Sequence, residues 1–130
     1  MASFRQPSYI MGVCQLLRAV WEWFRYAGPA SEPERRSLKL MRQWLSSAQR
    51  SQFDARGFFD VVGSHTGRRY RIRLGTSTNI SELDGLENSV ARWCLVPCEN
   101  LPAGDVMLAQ KIALENDEKS ALAVARSFSP

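Results

Sequence analysis

At 130 residues, 45% hydrophobic and 23% charged, the chain has the make-up of an ordinary globular protein. It is long enough to bury roughly two-thirds of the surface its unfolded form exposes, so its core needs neither disulfides nor metal. Its net charge of +4 is unevenly spread: residues 1–75 hold 13 Lys+Arg against 5 Asp+Glu, and residues 76–130 hold 4 against 8. Such a layout bears on association and not on fold, and it leaves two readings of the basic half. It either attracts an anionic partner or is neutralised by the acidic half within the fold.

Residues 8–27 read as a first helix. Ile10, Val13, Cys14, Leu17, Val20, Trp21 and Phe24 recur at three- and four-residue steps, and Met11, Leu16 and Trp23 widen the apolar face. Arg18 and Glu22 interrupt the run short of the roughly 20 apolar residues that a membrane span needs. No cleavable leader pattern is present, and three cysteines, an odd number, fit reduced thiols, so the expected compartment is the cytoplasm. Gly28-Pro29 ends the helix.

A second helix begins at Ser31, where Ser31 and Glu34 have the spacing of a capping box and Pro33 suits the first turn. Leu38, Met41, Leu45 and Ala48 form its apolar stripe, with Trp44 beside it, and the helix is expected to run to about Phe53. Arg35, Lys39, Arg42 and Arg50 fall near one another on a different face. With the first helix it forms an antiparallel hairpin.

The period then changes to two. Phe58–Val62 and Arg69–Leu74 read as strands around the loop GSHTG, Gly63 to Gly67. Thr78–Leu83 and Ala91–Val96 read as further strands, giving an antiparallel meander of three or four. In the second strand Arg69, Arg71 and Arg73 share one parity and Tyr70, Ile72 and Leu74 the other, so the apolar set faces the core. A closing helix runs from Leu101 to Phe128, with a break or bend at Asn116-Asp117. The expected fold is therefore α+β: an N-terminal helical hairpin, a three- to four-stranded meander and a C-terminal helix packed on the sheet. It forms a single domain over 1–130, with 31–130 the core unit and 1–30 an added helix.

No constellation in the sequence specifies catalysis. His65 is the only histidine, set in a turn, and an adjacent Ser64 does not make a triad. Glu115, Asp117 and Glu118 read as capping and solubility residues at the bend. Cys94 and Cys98 form a C-x-x-x-C pair without the further ligands that a structural zinc requires. No enzyme activity, metal or cofactor is expected, and no membrane partner. The residues expected to carry function are Trp21, Trp23 and Phe24 on the first helix and Arg69, Arg71 and Arg73 on the strand, because tryptophan and arginine are enriched at interface centres. They point to a non-enzymatic module acting by protein–protein contact, such as a regulator or inhibitor of a larger nucleoprotein complex, with a homodimer through the first helix as one form. The alternative is direct nucleic-acid binding through Arg69, Arg71 and Arg73 with Arg35, Lys39 and Arg42, although no recognised nucleic-acid motif is present.

From about Leu38 to Phe128 the text WLSSAQRSQFDARGFFDVVGSHTGRRYRIRLG, then NISELD, then WCLVPCENLPAGDVMLAQKIALENDEKSALAVA resembles a small α+β domain that recurs in uncharacterised bacterial proteins. The resemblance implies a bacterial or phage source, a sheet and last helix that form one unit, and a variable first 30 residues. The strand pattern F-x-V-x-G-S…Y-R-I also resembles the opening of SWIM-type zinc domains, but that family's C-x-C and C-x-H ligands are missing, so neither its metal nor its function carries over.

Overall fold

Five antiparallel strands follow one another across a single sheet in the order β1-β2-β3-β4-β5: Phe58–Val62, Arg69–Arg73, Ile80–Leu83, Ser89–Cys94 and Arg126–Phe128. Among the described residues three helices accompany them: α1 (Glu32–Trp44), α2 (Ser47–Arg56) and α3 (Ala103–Val124). This computed structural model describes residues 31–95 and 99–130, all within the unit Ser31–Pro130. The first predicted helix, and with it Trp21, Trp23 and Phe24, lies outside the described residues, as do Cys14 and Cys98. None of the described helices is long and apolar enough to cross a membrane.

The alternation read from the sequence sets the two faces of the sheet. Cross-strand pairs Phe59 with Ile72, Val61 with Tyr70, and Ile72 with Ile80 line the inner face. There Phe59, Val61, Tyr70, Ile72 and Ile80 are buried with Met41 and Leu45 of the helical corner and Met107, Leu114 and Ala121 of α3. Leu74 packs against the same cluster from its edge. The outer face pairs Phe58 with Arg73, Asp60 with Arg71, and Val62 with Arg69. The arginines therefore stand opposite the core, as their parity requires.

The expected single helix from Ser31 to Phe53 is two helices. Leu45 is extended, and Ser46 starts a new helix through a complete capping box: the Gln49 amide donates to Ser46 Oγ, and the Ser46 amide donates to Gln49 Oε1. A local stop-and-start signal thus outweighs the continuing apolar stripe, and Ala48 ends exposed. Ser31 makes no side-chain cap bond. Its expected partner Glu34 reaches α3 instead, where Glu34 Oε2 accepts from the Ala103 amide at 3.1 Å and places a carboxylate at that helix's positive end.

Among the described residues the sheet has five strands, not three or four. Residues 126–128, expected to be helical, pair with β4, Arg92 opposite Phe128 and Cys94 opposite Arg126. Helix α3 stops at Val124, so the chain's last apolar residue is used by a sheet edge. The expected bend in α3 is present: Asp117 leaves the helical region (φ −149°, ψ 62°), and its Oδ1 accepts from the Ser120 amide as a new N-cap.

Helices α1 and α3 cross in backbone contact. A Cβ on Gly104 would stand 2.3 Å from the Ser37 carbonyl carbon and 2.5 Å from the Leu38 nitrogen, so the crossing requires glycine. At the opposite edge α2 closes the free side of β1. The Asp60 amide donates to Gln52 Oε1 (2.8 Å), and Gln49 Nε2 donates to the Asp60 carbonyl (3.0 Å). Two glutamine side chains thereby occupy hydrogen-bonding groups that an edge strand would otherwise offer to another chain.

Candidate functional site

Asp60 and Glu87 hold the arginine row from both sides. Arg71 forks onto Asp60 with Nε at 2.8 Å and Nη2 at 3.0 Å, and its Nη2 also reaches Glu87 at 3.0 Å. Arg69 joins the same acids, Asp60 at 2.9 Å and Glu87 at 2.5 Å. The Arg71 guanidinium stacks 4.1 Å over the Phe58 ring, and its side chain is 15% exposed. Burial would raise the Asp60 carboxyl, but hydrogen bonds from Arg71 and Arg69 outweigh it and hold the group below the usual carboxylate range. Arg73 donates to the buried hydroxyl of Ser81 at 2.6 Å. Glu87 reaches the row from the Asp84–Asn88 turn, in which Asp84 Oδ1 accepts from the amides of Leu86 and Asn88 and Glu87 itself takes a positive φ of 65°.

Arg35, Lys39 and Arg42 stand elsewhere. Helices α1 and α3 cover the inner face, whereas the arginine row leaves the outer one, so the two basic groups do not merge into one surface. On α1 the positions 35, 39 and 42 form one helical stripe, and with Leu38, Gln43 and Arg50 they line an open depression of about 480 Å³. Arg35 pairs with Glu32 at 2.7 Å and Arg42 with Asp54 at 2.8 Å, all four side chains being well exposed. Arg50 turns its Nε to the Arg42 carbonyl at 3.0 Å, placing a cation at the negative end of α1. Lys39 has no ion pair among the described residues.

A third cluster escapes the sequence. Glu118, read as a solubility residue, is 1% exposed and receives four hydrogen bonds: from the amides of His65 (2.8 Å) and Thr66 (2.7 Å), the Thr66 hydroxyl (2.5 Å) and the Tyr70 hydroxyl (2.6 Å). In return the Glu118 amide donates to Ser64 Oγ at 3.0 Å. Burial raises this carboxyl, but the Thr66 and Tyr70 donors and the two loop amides overcome it and bring it down to about 2. Burial first, and then the Glu118 carboxylate, push the Tyr70 phenol well above its ordinary value. A Cβ on Gly63 would stand 2.4 Å from the same carboxylate, so the loop's leading glycine is needed for this approach. The GSHTG loop is therefore the fitting that fastens the β1–β2 hairpin to the bend in α3. His65 takes part through its backbone and is exposed.

Three more buried polar side chains are spent in the same manner. Asn79 and Gln110 exchange amide hydrogen bonds at 2.9 Å each way and tie the β2–β3 turn to α3. Glu82 accepts from Arg68 at 2.8 Å and from the Trp93 indole at 3.2 Å. Every buried side-chain nitrogen and oxygen among the described residues has a partner. Cys94 is partly buried on the outer face beside Ser77 (3.7 Å). Among the described residues no group of three His, Cys, Asp or Glu side chains is placed to hold a metal ion.

Among the described residues, one pair of exposed apolar side chains stands at helical spacing on a helix. Leu40 and Trp44, one turn apart on α1, are 43% and 63% exposed, while the core aromatics Phe59 and Tyr70 are fully buried. Neither Leu40 nor the exposure of Trp44 was singled out by sequence patterning, which set Trp44 beside the buried stripe. No known protein family, characterised protein or solved structure matches this chain.

Proposed function

We propose that this chain is a non-enzymatic binding module acting through protein–protein contact, with the solvent side of α1 as its contact face. The observation that carries the reading is Trp44, 63% exposed with Leu40 one turn away, whereas the aromatic rings of Phe59 and Tyr70 are fully buried. A large aromatic left in water at no structural gain is the residue type that most often dominates an interface. The strand arginines support the reading less than their pattern suggests, because Asp60 and Glu87 already occupy Arg69 and Arg71. Trp21, Trp23 and Phe24 remain part of the proposal on sequence grounds.

The test is affinity capture from the native host with the full chain and with Trp44→Ala, each washed in a rising salt series. Retention of the same protein at high salt by the wild type, and its loss with Trp44→Ala, supports the reading. Equal retention by both overturns the assignment of the face. A second reading, direct nucleic-acid binding, draws on the depression lined by Arg35, Lys39, Arg42 and Arg50. It requires retention of DNA or RNA that collapses steeply as salt rises, since each neutralised phosphate releases counterions.

A further inference from the structure

Resting on the protein-contact reading, we infer that the α1 depression is a docking groove for an acidic helical segment of a protein partner, gripped by Arg35, Lys39 and Arg42. The three cations follow one another at steps of four and three residues along α1, so they span about 10 Å of helix on one stripe. Carboxylates placed once per turn on a partner helix repeat at that interval. Lys39, at the middle of the stripe, has no ion pair among the described residues.

The flanking guanidiniums already display the chemistry. Arg35 holds Glu32 and Arg42 holds Asp54 at 2.7 and 2.8 Å, each pair in an exposed setting. Such pairs contribute little to stability, so a partner's carboxylates exchange for them at small cost. Arg50, committed to the Arg42 carbonyl, fixes the far wall of the groove and takes no part in the exchange.

The lining also favours protein over nucleic acid. Leu38 belongs to it and gives an apolar side chain of the partner a contact that a phosphodiester backbone does not use. The described lining holds no aromatic ring on which a base would stack. Trp44 and Leu40 lie on another side of α1, so the groove and the apolar pair are separable by mutation.

The probe is a labelled, alanine-based helical peptide carrying three glutamates spaced four and then three residues apart, with one leucine between them. Binding to the full chain is read by fluorescence anisotropy at about 0.15 M salt. Controls are the same peptide with glutamines for glutamates and a single-stranded DNA oligonucleotide of equal charge. The expected result is binding of the acidic peptide, none of the glutamine peptide, weaker binding of the DNA, and a loss of about tenfold on Lys39→Glu, with Arg42→Glu losing as much. Lys39→Glu changes an exposed side chain, and an unaltered thermal transition verifies its fold. Failure of the acidic peptide to bind, equal binding by Lys39→Glu, or tighter binding of DNA that Lys39→Glu abolishes each overturns the inference. Capture that depends on Trp44 and persists in Lys39→Glu leaves the protein-contact reading standing without this groove; the absence of any protein captured by the wild type at high salt removes the reading itself.

Discussion

Tyr70 shows how a single residue serves two layers of this structure. Its ring belongs to the inner face, while its hydroxyl ends on Glu118 at 2.6 Å. Tyr70→Phe keeps the ring and deletes one bond to a buried carboxylate. A hydrogen bond to a charged acceptor is worth roughly 1.5–3 kcal/mol, and Glu118 retains its three other donors, so a loss of about 2 kcal/mol is expected. Urea unfolding at neutral pH measures it. A cost below about 0.5 kcal/mol would mean that the hydroxyl is solvated and the carboxylate is held by the loop alone. Alternation alone placed the Tyr70 ring correctly. The destination of its hydroxyl was not legible, because residues 70 and 118 meet only through the tertiary fold.

At the scale of elements, helix α3 depends on Gly104 more than on its apolar pattern. Ala has the better helix propensity by about 1 kcal/mol, so an isolated helix would gain from Gly104→Ala. In the folded unit the new methyl would meet the backbone of Ser37 and Leu38 at 2.3–2.5 Å. That contact is with main chain and cannot be relieved by a rotamer change, so α1 and α3 must part. The expected outcome is a net loss of roughly 1–3 kcal/mol, read as a lowered melting temperature. A raised melting temperature would show that propensity wins and that the crossing is loose. The same contest of local against tertiary preference explains what the sequence hid. Ser31 and Glu34 have capping-box spacing, yet Glu34 serves the Ala103 amide; Ser46 and Gln49 have it too, and they form the box. Spacing identifies candidates, and the neighbours brought in by the fold decide between them. Residues 126–128 carry no strand pattern long enough to read, and they become β5 only because β4 presents an edge.

Across the described residues the uneven charge seen in the sequence includes two kinds of cation. Arg69 and Arg71 are held by Asp60 and Glu87, whereas Lys39 meets solvent without an ion pair among the described residues. The alternation of 69, 71 and 73 was legible and their side of the sheet followed from it. Their neutralisation was not, because Asp60 lies on the adjacent strand and Glu87 in a turn. This has a consequence for mutagenesis: reversing Arg71, whose side chain is 15% exposed, sets three carboxylates against one another, so lost binding by Arg71→Glu would report disturbed folding as well as a lost contact. Carboxylates of this kind also set the response of the whole unit to acid. Glu118 is the deepest, taken from 4.5 down to about 2 by its four donors. Between those values the unfolded chain binds a proton that the folded one does not, so stability falls as pH falls. A displacement of this size corresponds to roughly 3 kcal/mol, fully present above about pH 5 and spent by about pH 2. Asp60 and Glu87 add acid sensitivity of their own in the same direction, which makes the wild-type curve alone ambiguous. The comparison with Glu118→Gln removes that ambiguity, because the variant keeps the outer-face acids and loses only the buried titration. The stability difference between wild type and variant should be greatest near neutral pH and shrink by roughly 3 kcal/mol toward pH 2, measured by chemical unfolding at each pH. A difference that stays constant across that range would mean that Glu118 is not held as a carboxylate, and the hairpin would then be joined to α3 by packing without charge.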